Sequence, residues 1–266
     1  MTRLLMFAIL SIALAGCQVF GGDDSSAQPQ DEPVLIEWEN SPMAVVFRAD
    51  VVGGDDENAL HRRSEVPLCT IYGDGRVVWS FSSYEDGSQV LFDRLTERQV
   101  RHFVELLTTY WEIYNHESGL DMILSETRPV VEQITLTVNG QTHTTDALSG
   151  WDYNYFMEIL NTCATIGETP TVFEPQGGWV SAERIVYDPM APANSWNADA
   201  TSLNLDALAT TGERQWVTGQ VLRVLWYWIH NSPPTLQFVQ SGDAFRVALE
   251  VPSVTRASPP PPQEQD

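Results

Sequence analysis

PLCTIYGDGRVVWSF, residues 67–81, is the stretch that decides the fold. The turn sequence Gly73-Asp74-Gly75 separates two runs, and in the second run every other residue is apolar: Val77, Trp79 and Phe81. An Asp-Gly pair between two such runs is a strong indication of a β-hairpin, since glycine tolerates the positive φ that tight hairpin turns require. We therefore predict that strands at 67–72 and 76–81 pair in an antiparallel sheet.

Further strands are predicted on both sides of this hairpin. Apolar runs bounded by turn residues indicate three of them: 43–52, 89–93 and 179–187. Two more hairpins are predicted by the same reasoning: 134–145 around Asn139-Gly140, and 235–251 around Ser241-Gly242-Asp243. Residues 188–200 contain Pro189 and Pro192, and we predict that they are irregular.

Three helices are predicted from apolar residues at helical spacing. The first begins after Thr96, which can form a capping box with Gln99. The second begins near Ser149 or Asp152, either of which could cap it. The third is predicted to be capped by Thr218 and to end before Pro233-Pro234.

Hairpins and helices in this order predict an α+β fold, with antiparallel sheets and about three packed amphipathic helices. We place one globular domain at 34–256, which could consist of two lobes that meet near 170–178, where Gly177-Gly178 lies. Residues 257–266 include four consecutive prolines and are predicted to be a disordered tail.

The amino terminus has the layout of an export signal. Arg3 precedes eleven mostly apolar residues, Leu4 to Leu14. Eleven helical residues span about 16 Å, roughly half of a hydrocarbon core, which does not favour a transmembrane helix. The run ends in Leu14-Ala15-Gly16-Cys17, which resembles the lipobox of bacterial lipoproteins. The alternative is an ordinary secretory signal that leaves Cys17 free.

The lipobox resemblance implies a location. Residues 1–16 would be the signal peptide, and Cys17 would carry a diacylglyceryl group, usually with a further acyl chain such as palmitate on the new amino terminus. Two or three chains together give a stable anchor. The implied location is the extracytoplasmic face of the cell membrane or outer membrane. Residues 17–33 are rich in Gly, Ser, Pro and acidic residues, and we predict that they form a disordered tether.

A second resemblance concerns the mature part of the chain. Tyr72-Gly73-Asp74-Gly75-Arg76, a helix opened by Leu95-Thr96-Glu97, and Thr218-Gly219 before a later helix are similar to motifs in a group of uncharacterised exported bacterial lipoproteins. The likeness would cover most of residues 66–250. It implies a fold and no catalytic residue.

The chain is acidic, with a formal net charge of −22, and its 14 Lys-plus-Arg residues are all arginine. This charge argues against a nucleic-acid partner, because the phosphates would be repelled. It is equally unfavourable for lying flat on anionic lipid. The lack of lysine excludes a Walker A loop, a Schiff-base lysine and a Ser–Lys dyad.

Cys69 and Cys163 are the two cysteines beyond Cys17. In an exported protein they could form a disulfide. The helix that carries Cys163 is expected to pack across the sheet that carries Cys69, which would bring the two together. Otherwise both are small buried apolar residues that never meet.

Three polar groups in the sequence are candidate sites. Asp74 and Arg76 lie at the first hairpin turn, where aspartate is a usual turn residue. The pairs His116-Glu117 and His143 with Asp146 lack the spacing of a helical metal pair. The acidic run 55–58 lacks the ligand order of an EF-hand loop. We interpret all three as ordinary turn, strand or loop residues, and we predict no metal or cofactor.

Trp226 is the weak candidate for ligand binding. Trp226, Tyr227 and Trp228 are consecutive, and at helical spacing Leu225 and Trp228 face the core whereas Trp226 does not. Trp226 is therefore either covered by a sheet or exposed as part of an apolar pocket or sugar platform.

No Gly-x-Ser-x-Gly, His-Glu-x-x-His or Cys-x-x-Cys motif occurs in the chain. We therefore predict a membrane-anchored extracytoplasmic lipoprotein that is a non-catalytic binding module for a protein or another envelope component. The alternatives are an extracytoplasmic hydrolase with an unrecognised site and a solute receptor for a transporter. A cleft with convergent carboxylates or histidines would favour the hydrolase, an apolar cleft between lobes the receptor, and a flat apolar patch the interaction module.

Overall fold

Two sheets and five α-helices make up the described part of the chain, as the α+β prediction requires. The computed structural model describes residues 36–54, 56, 59–83, 87–120 and 129–262. From Ile36 onward the chain forms one compact unit. Within the described ranges, no helix has the length and apolar content needed to cross a membrane.

The first sheet has seven strands in the order β6-β5-β1-β2-β3-β4-β7. Their bounds are β1 Val45–Val52, β2 Cys69–Tyr72, β3 Arg76–Ser83, β4 Gly87–Arg94, β5 Val131–Val138, β6 Gln141–Asp146 and β7 Thr171–Val172. All its described pairings are antiparallel. The Asp-Gly hairpin is confirmed as β2–β3, with Ile71 opposite Val77, and the Asn-Gly hairpin as β5–β6.

The second sheet has five strands in the order β10-β8-β12-β11-β9. Their bounds are β8 Gly178–Ile185, β9 Ala193–Ser195, β10 Gln215–Val217, β11 Gln237–Gln240 and β12 Asp243–Glu250. The predicted hairpin around Ser241-Gly242 is confirmed as β11–β12. In this sheet β9 pairs with β11 in parallel. The chain passes from the first sheet to the second between Val172 and Gly178, within the region where two lobes were predicted to meet.

Five α-helices accompany the sheets: α1 Glu97–Glu105, α2 Tyr155–Thr165, α3 Ala198–Thr201, α4 Leu205–Thr211 and α5 Gly219–His230. A π-helical turn, Leu106–Tyr110, continues α1, and short 3₁₀ helices occur at Leu60–Ser64, Ile113–Asn115 and Ala147–Ser149. The stretch 188–200, predicted to be irregular, instead contains β9 and the start of α3. Asn197 explains this start, because its side chain caps α3 by accepting a hydrogen bond from the Ala200 N–H.

One of the three predicted helix caps is confirmed. Thr96 and Gln99 form a capping box, in which the Thr96 N–H donates to Gln99 Oε1 at 2.9 Å. Helix α2 begins after Asn154 rather than at Ser149 or Asp152. The Ser149 hydroxyl is otherwise engaged, since it donates to the Asp146 carbonyl at 2.6 Å.

For α5 the predicted end before Pro233-Pro234 is confirmed, whereas the predicted cap is wrong. Thr218 occupies the N-cap position but makes no side-chain cap hydrogen bond. Gly219 follows with φ +62°, so the first turn departs from the regular geometry that a threonine cap requires.

The first sheet lies between two apolar clusters, because successive strand residues point to opposite faces. Cys69, Ile71 and Val77 face one cluster, which α1 and α2 cover through residues such as Phe103 and Ile159. Tyr72, Val78 and Val90 face the other cluster, to which the second sheet, α4 and α5 contribute. The central strands are therefore buried on both faces.

Contacts continue beyond Arg256, where the globular domain was predicted to end. The Ala257 N–H donates to the Arg63 carbonyl at 3.3 Å. The indole N–H of Trp179 donates to the Pro260 carbonyl at 2.8 Å. The first residues of the predicted tail therefore lie against the domain.

Candidate functional site

A cavity of about 400 Å³ lies where the first sheet meets α5 and the second sheet. Its volume is at the small end of the range typical of small-molecule sites, about 300–1,000 Å³. Apolar side chains form part of the wall, including Leu68, Leu236, Phe238 and Val247. The rest of the wall is charged or polar. We take this cavity as the candidate site because it combines apolar walls with clustered ionisable groups.

Three arginines from distant parts of the sequence line the cavity. Arg62 lies in the 3₁₀ helix Leu60–Ser64, Arg246 in β12, and Arg256 just beyond β12. The 3₁₀ helix is held against β12, since the Leu249 N–H donates to the Ser64 hydroxyl at 2.8 Å. This packing brings all three guanidinium groups to one cavity.

Arg256 is fixed by the two carboxylates of the cavity. Its Nη2 lies 2.9 Å from Asp50 Oδ1, 3.1 Å from Glu65 Oε2 and 2.9 Å from the Val51 carbonyl oxygen. Glu65 also faces Arg62, whose Nε is 3.2 Å away. Both carboxylates are therefore already engaged by arginines.

Burial has the largest effect on the pKa values of Asp50 and Glu65. It raises the pKa of both carboxyl groups above their ordinary values, although Arg256 and Arg62 act to lower them. Protonation of either group would leave the surrounding arginines with less compensating negative charge. The cavity therefore becomes more positive as the pH falls.

Arg246 and Arg256 each retain a donor without a partner. Among the described residues, no group accepts a hydrogen bond from the buried Nε–H of either side chain. Arg246 is otherwise held by Glu183, whose Oε1 is 3.1 Å from its Nη1. Buried donors normally find a partner in the protein, in ordered water or in a ligand. Both nitrogens are buried within the wall, so a molecule in the cavity has no access to them.

Two histidines also line the cavity. His230 Nδ1 is 2.9 Å from the Trp226 carbonyl oxygen, which requires a proton on Nδ1. Burial lowers the pKa of His230, and the nearby Trp226 and Ser64 backbone groups oppose this shift. His61 Nε2 lies 3.4 Å from Asp56 Oδ2. Each ring is thus held by a neighbouring group.

Contacts between histidine rings and hydroxyl or thiol side chains bear on nucleophilic catalysis. Within the described part of the chain, no serine, threonine or cysteine side chain is hydrogen-bonded to a histidine ring. A general base and its nucleophile would need such contact. Asp50 and Glu65 are engaged by arginines, which leaves neither as a free base.

Trp226, the candidate from the sequence, does not line the cavity but supports it. Its ring lies against His230, with a centroid distance of 3.9 Å, and against Phe173 at 5.7 Å. It is half-buried and packs against the second apolar cluster. Of the two alternatives, the structure favours burial.

Cys69 and Cys163 form a disulfide, with their Cα atoms 6.4 Å apart. Both are fully buried in the first cluster, where α2 crosses β2. The bond therefore fastens helix to sheet, away from the cavity. Cys17, the predicted lipid attachment site, lies outside the described residues.

The remaining polar groups have structural contacts. Arg76 Nε is 2.8 Å from Asp74 Oδ2 at the first hairpin turn. His143 Nε2 lies 2.8 Å from the His116 carbonyl oxygen, not beside Asp146. Among the described residues, no group of three or more His, Cys, Asp or Glu could hold a metal ion. In the acidic run 55–58, Asp56 alone is described.

A second concave surface lies where the π-helical turn after α1 meets the start of α2. It is lined by aromatic and acidic residues: Tyr110, Trp111, Glu112, His116, Asp152, Tyr153, Asn154, Tyr155 and Glu158. Tyr155 is held in place by its hydroxyl, which donates to the Trp111 carbonyl at 2.9 Å, and burial raises the pKa of that hydroxyl to about 12. Tyr153 is fully exposed. This surface encloses about 580 Å³, and most of its lining side chains are exposed.

The arginines of the cavity were missed in the sequence reading. One signal was available: His61-Arg62-Arg63 is a basic run in a chain of net charge −22. Arg246 lies on a strand, and Arg256 lies where the domain was predicted to end. Nothing local connects these positions.

Comparison with protein-family models gives no match, and neither do searches of curated proteins and of solved structures.

Proposed function

We propose that this protein is a membrane-anchored extracytoplasmic lipoprotein that binds a small ligand without catalysing a reaction. The observation that supports binding is the cavity of about 400 Å³, in which apolar side chains lie beside three arginines. The engagement of Asp50 and Glu65 by arginines makes the hydrolase alternative weaker. A solute receptor would use the same cavity, so binding is common to the two remaining hypotheses.

The anchor proposal depends on Leu14-Ala15-Gly16-Cys17. Replacing Cys17 by Ser removes the sulfur that would carry the lipid. We expect the Cys17→Ser variant to leave the membrane fraction and to lose metabolic labelling with palmitate. A variant that stays membrane-bound and labelled to the wild-type extent would contradict the anchor, while leaving the cavity proposal intact.

The binding proposal is tested by what the full-length protein retains. The protein is extracted from its own membranes in mild detergent and analysed by native mass spectrometry. We expect a small molecule to accompany the wild-type chain. Ser80 lines the cavity, so Ser80→Phe should fill it and remove the ligand.

Ser195→Phe is the matched control, because Ser195 is exposed on β9. It adds the same side chain outside the cavity and should retain the ligand. Absence of any bound molecule from the wild-type protein, also after incubation with an envelope extract, would contradict the proposal. Equal retention by the two phenylalanine variants would do the same.

A further inference from the structure

We propose that the second concave surface docks a basic segment of a partner protein, through the cationic side chains of that segment. We call this surface the aromatic–acidic cleft; its lining comes from residues within 110–116 and 152–158. It shares no lining residue with the arginine-lined cavity, so this interaction goes beyond the proposed function. The occupant is inferred from the charges, the exposed rings and the openness of the cleft.

The cleft carries negative charge without a balancing arginine. Glu112, Asp152 and Glu158 contribute exposed carboxylates, and His116 is the one basic side chain among the described lining residues. In the part of the chain that the structure describes, none of the three carboxylates forms an ion pair. The Glu112 carboxylate accepts a hydrogen bond from the neutral amide of Asn115 at 2.8 Å. A cationic group would therefore meet carboxylates that are free, and an anion would be repelled.

Exposed aromatic rings give the cleft a second means of attracting a cation. Tyr110 is 70% exposed and Tyr153 is 100% exposed, so a ligand can reach both rings. The described arginines that lie over aromatic rings do so at Trp38, Tyr72 and Phe245, all outside the cleft. A guanidinium or ammonium group within about 6 Å of a ring centroid is attracted by the negative face of the ring. The rings and the carboxylates thus favour the same kind of group.

The inner aromatic residues of the cleft are held in place by the fold. Trp111 follows the π-helical turn, and its carbonyl accepts a hydrogen bond from the Tyr155 hydroxyl at 2.9 Å. The Tyr155 ring stacks on Trp151 with a centroid distance of 5.2 Å. Tyr110 contacts Trp111 edge to face at 5.5 Å. A surface that is ordered in advance loses less entropy when a partner binds.

The openness of the cleft favours a polypeptide as the occupant. Most of the lining side chains are exposed, whereas small-molecule sites usually bury most of the ligand surface. A polypeptide can also contact Tyr114 and Met157, which are exposed on the same two segments. Tyrosine and methionine are enriched at protein interfaces. The net charge of −22 would attract a basic partner from a distance and speed its association.

The test uses a labelled peptide, acetyl-Gly-Arg-Gly-Arg-Gly-amide, and the full-length protein in non-ionic detergent at constant ionic strength. Fluorescence anisotropy measures the affinity. The same peptide with citrulline in place of arginine keeps the shape and removes the charge. We expect the arginine peptide to bind about tenfold more tightly than the citrulline peptide. In competition, it should also bind more tightly than free arginine amide, which cannot make the contacts of a polypeptide.

Matched substitutions separate the cleft from the general acidity of the protein. Tyr153→Ala removes a ring of the cleft, and Tyr227→Ala removes a ring that is 63% exposed on α5. Glu158→Gln removes a carboxylate of the cleft, and Glu213→Gln removes an exposed carboxylate between α4 and β10. Affinity for the arginine peptide should fall about threefold in each cleft variant and by less than about 1.5-fold in each control. Circular dichroism and thermal unfolding check that all four variants are folded.

Four results would overturn the proposal. No measurable binding of the arginine peptide, or equal binding of the citrulline peptide, would show that the cleft does not recognise cationic side chains. Equal effects of the cleft and control substitutions would show that the peptide binds the acidic surface in general. Free arginine amide binding as tightly as the peptide would make the cleft a site for a small cation. None of these results depends on whether the arginine-lined cavity holds a ligand.

Discussion

Asp146 is a fully buried carboxylate that organises the loop before β5. Its oxygens accept hydrogen bonds from the N–H groups of Gly119 at 3.2 Å, Leu120 at 3.0 Å and Leu148 at 2.9 Å, and from the Ser118 hydroxyl. Burial alone would raise the pKa of this carboxyl, but the hydrogen bonds outweigh it, and the pKa lies below its ordinary value near 3.8.

Asp146→Asn should therefore destabilise the protein at neutral pH, by about 1.5–3 kcal/mol, because an amide cannot accept all these bonds. A lowered pKa in the folded state means that the contribution of Asp146 is present above pH 3.8 and is lost as the pH falls through the folded pKa. The variant should thus differ less from wild type near pH 3 than at pH 7. Urea unfolding at both pH values measures this.

Asp152→Asn is the control for this prediction, since Asp152 is exposed and the charge change is the same. It should alter the free energy of unfolding by less than about 0.5 kcal/mol. A similar loss in the two variants would show that charge, not hydrogen bonding, is responsible.

At Glu250, burial and favourable contacts also act in opposite directions on the pKa, but here burial has the larger effect. It is fully buried on β12, with Arg214 Nη1 at 2.8 Å and Arg63 Nη1 at 3.6 Å. Burial raises its pKa in spite of both arginines. Asp146 has three backbone N–H groups directed at it, whereas Glu250 relies on two partly exposed side chains. The pKa is thus lowered at Asp146, where three backbone N–H groups point at the carboxylate, and raised at Glu250, where two arginine side chains do.

At the scale of the element, two hairpins allow a matched test. Gly75 and Gly140 both adopt positive φ, at +82° and +69°. A Cβ on Gly75 would lie 2.5 Å from the Leu95 carbonyl oxygen, whereas a Cβ on Gly140 would have no heavy atom within 4 Å. The first hairpin is therefore packed at Gly75 against the segment that starts α1, whereas Gly140 has open space around it.

Gly75→Ala should cost more than Gly140→Ala. Both substitutions carry the conformational penalty of positive φ, about 1 kcal/mol. Only Gly75→Ala also has to displace backbone, which would add roughly 1–3 kcal/mol. Chemical denaturation of the two variants gives the difference directly. Equal losses would mean that the close approach at Gly75 relaxes without cost.

The disulfide joins β2 to α2 across a sequence separation of 94 residues. Closing so long a loop restricts the unfolded chain, so replacing both Cys69 and Cys163 by Ser should reduce the free energy of unfolding by about 3–5 kcal/mol. Alkylation of the denatured wild-type protein should add no group at these cysteines without reductant and two with it. Uptake of two groups without reductant would contradict the bond.

The elements that the sequence predicted are those with local signals. Asp-Gly and Asn-Gly turns specify hairpins within a few residues, and the Thr96–Gln99 capping box specifies the start of α1. Helix α4 was missed although Asn204 caps it by accepting from the Ala207 N–H. Its seven residues are too few for apolar periodicity to be clear.

At the scale of the whole molecule, short sequence patterns do not predict which residues meet at the candidate site. Asp50, Arg62, Arg246 and Arg256 come from β1, a 3₁₀ helix, β12 and the segment after it. They meet because the first sheet is buried on both faces and its second face contacts the sheet that contains β12. The sequence candidate, Trp226, was found through its aromatic neighbours, and it contacts His230 of the cavity rather than the cavity itself.

The cavity should bind sulfate more tightly at low pH. The groups that face it are Asp50, Glu65, His61, His230 and three arginines. Burial raises the pKa of Asp50 and Glu65 and lowers that of His230. As the pH falls, the two carboxylates lose negative charge and His230 gains positive charge, while the arginines stay charged. Each of these protonations makes the cavity more positive and so favours a bound anion. Anion binding should therefore be accompanied by proton uptake.

Sulfate is the suitable probe because it remains a dianion throughout this range. Its affinity should increase from pH 8 to pH 5, and each tenfold increase corresponds to about 1.4 kcal/mol of added attraction. His230→Gln should flatten the pH dependence, because it removes one of the titrating groups. Arg246→Gln should weaken binding equally at all pH values and preserve the slope, since an arginine does not titrate here. A sulfate affinity that is independent of pH, or that falls towards pH 5 while the protein remains folded, would show that these groups do not face the bound anion.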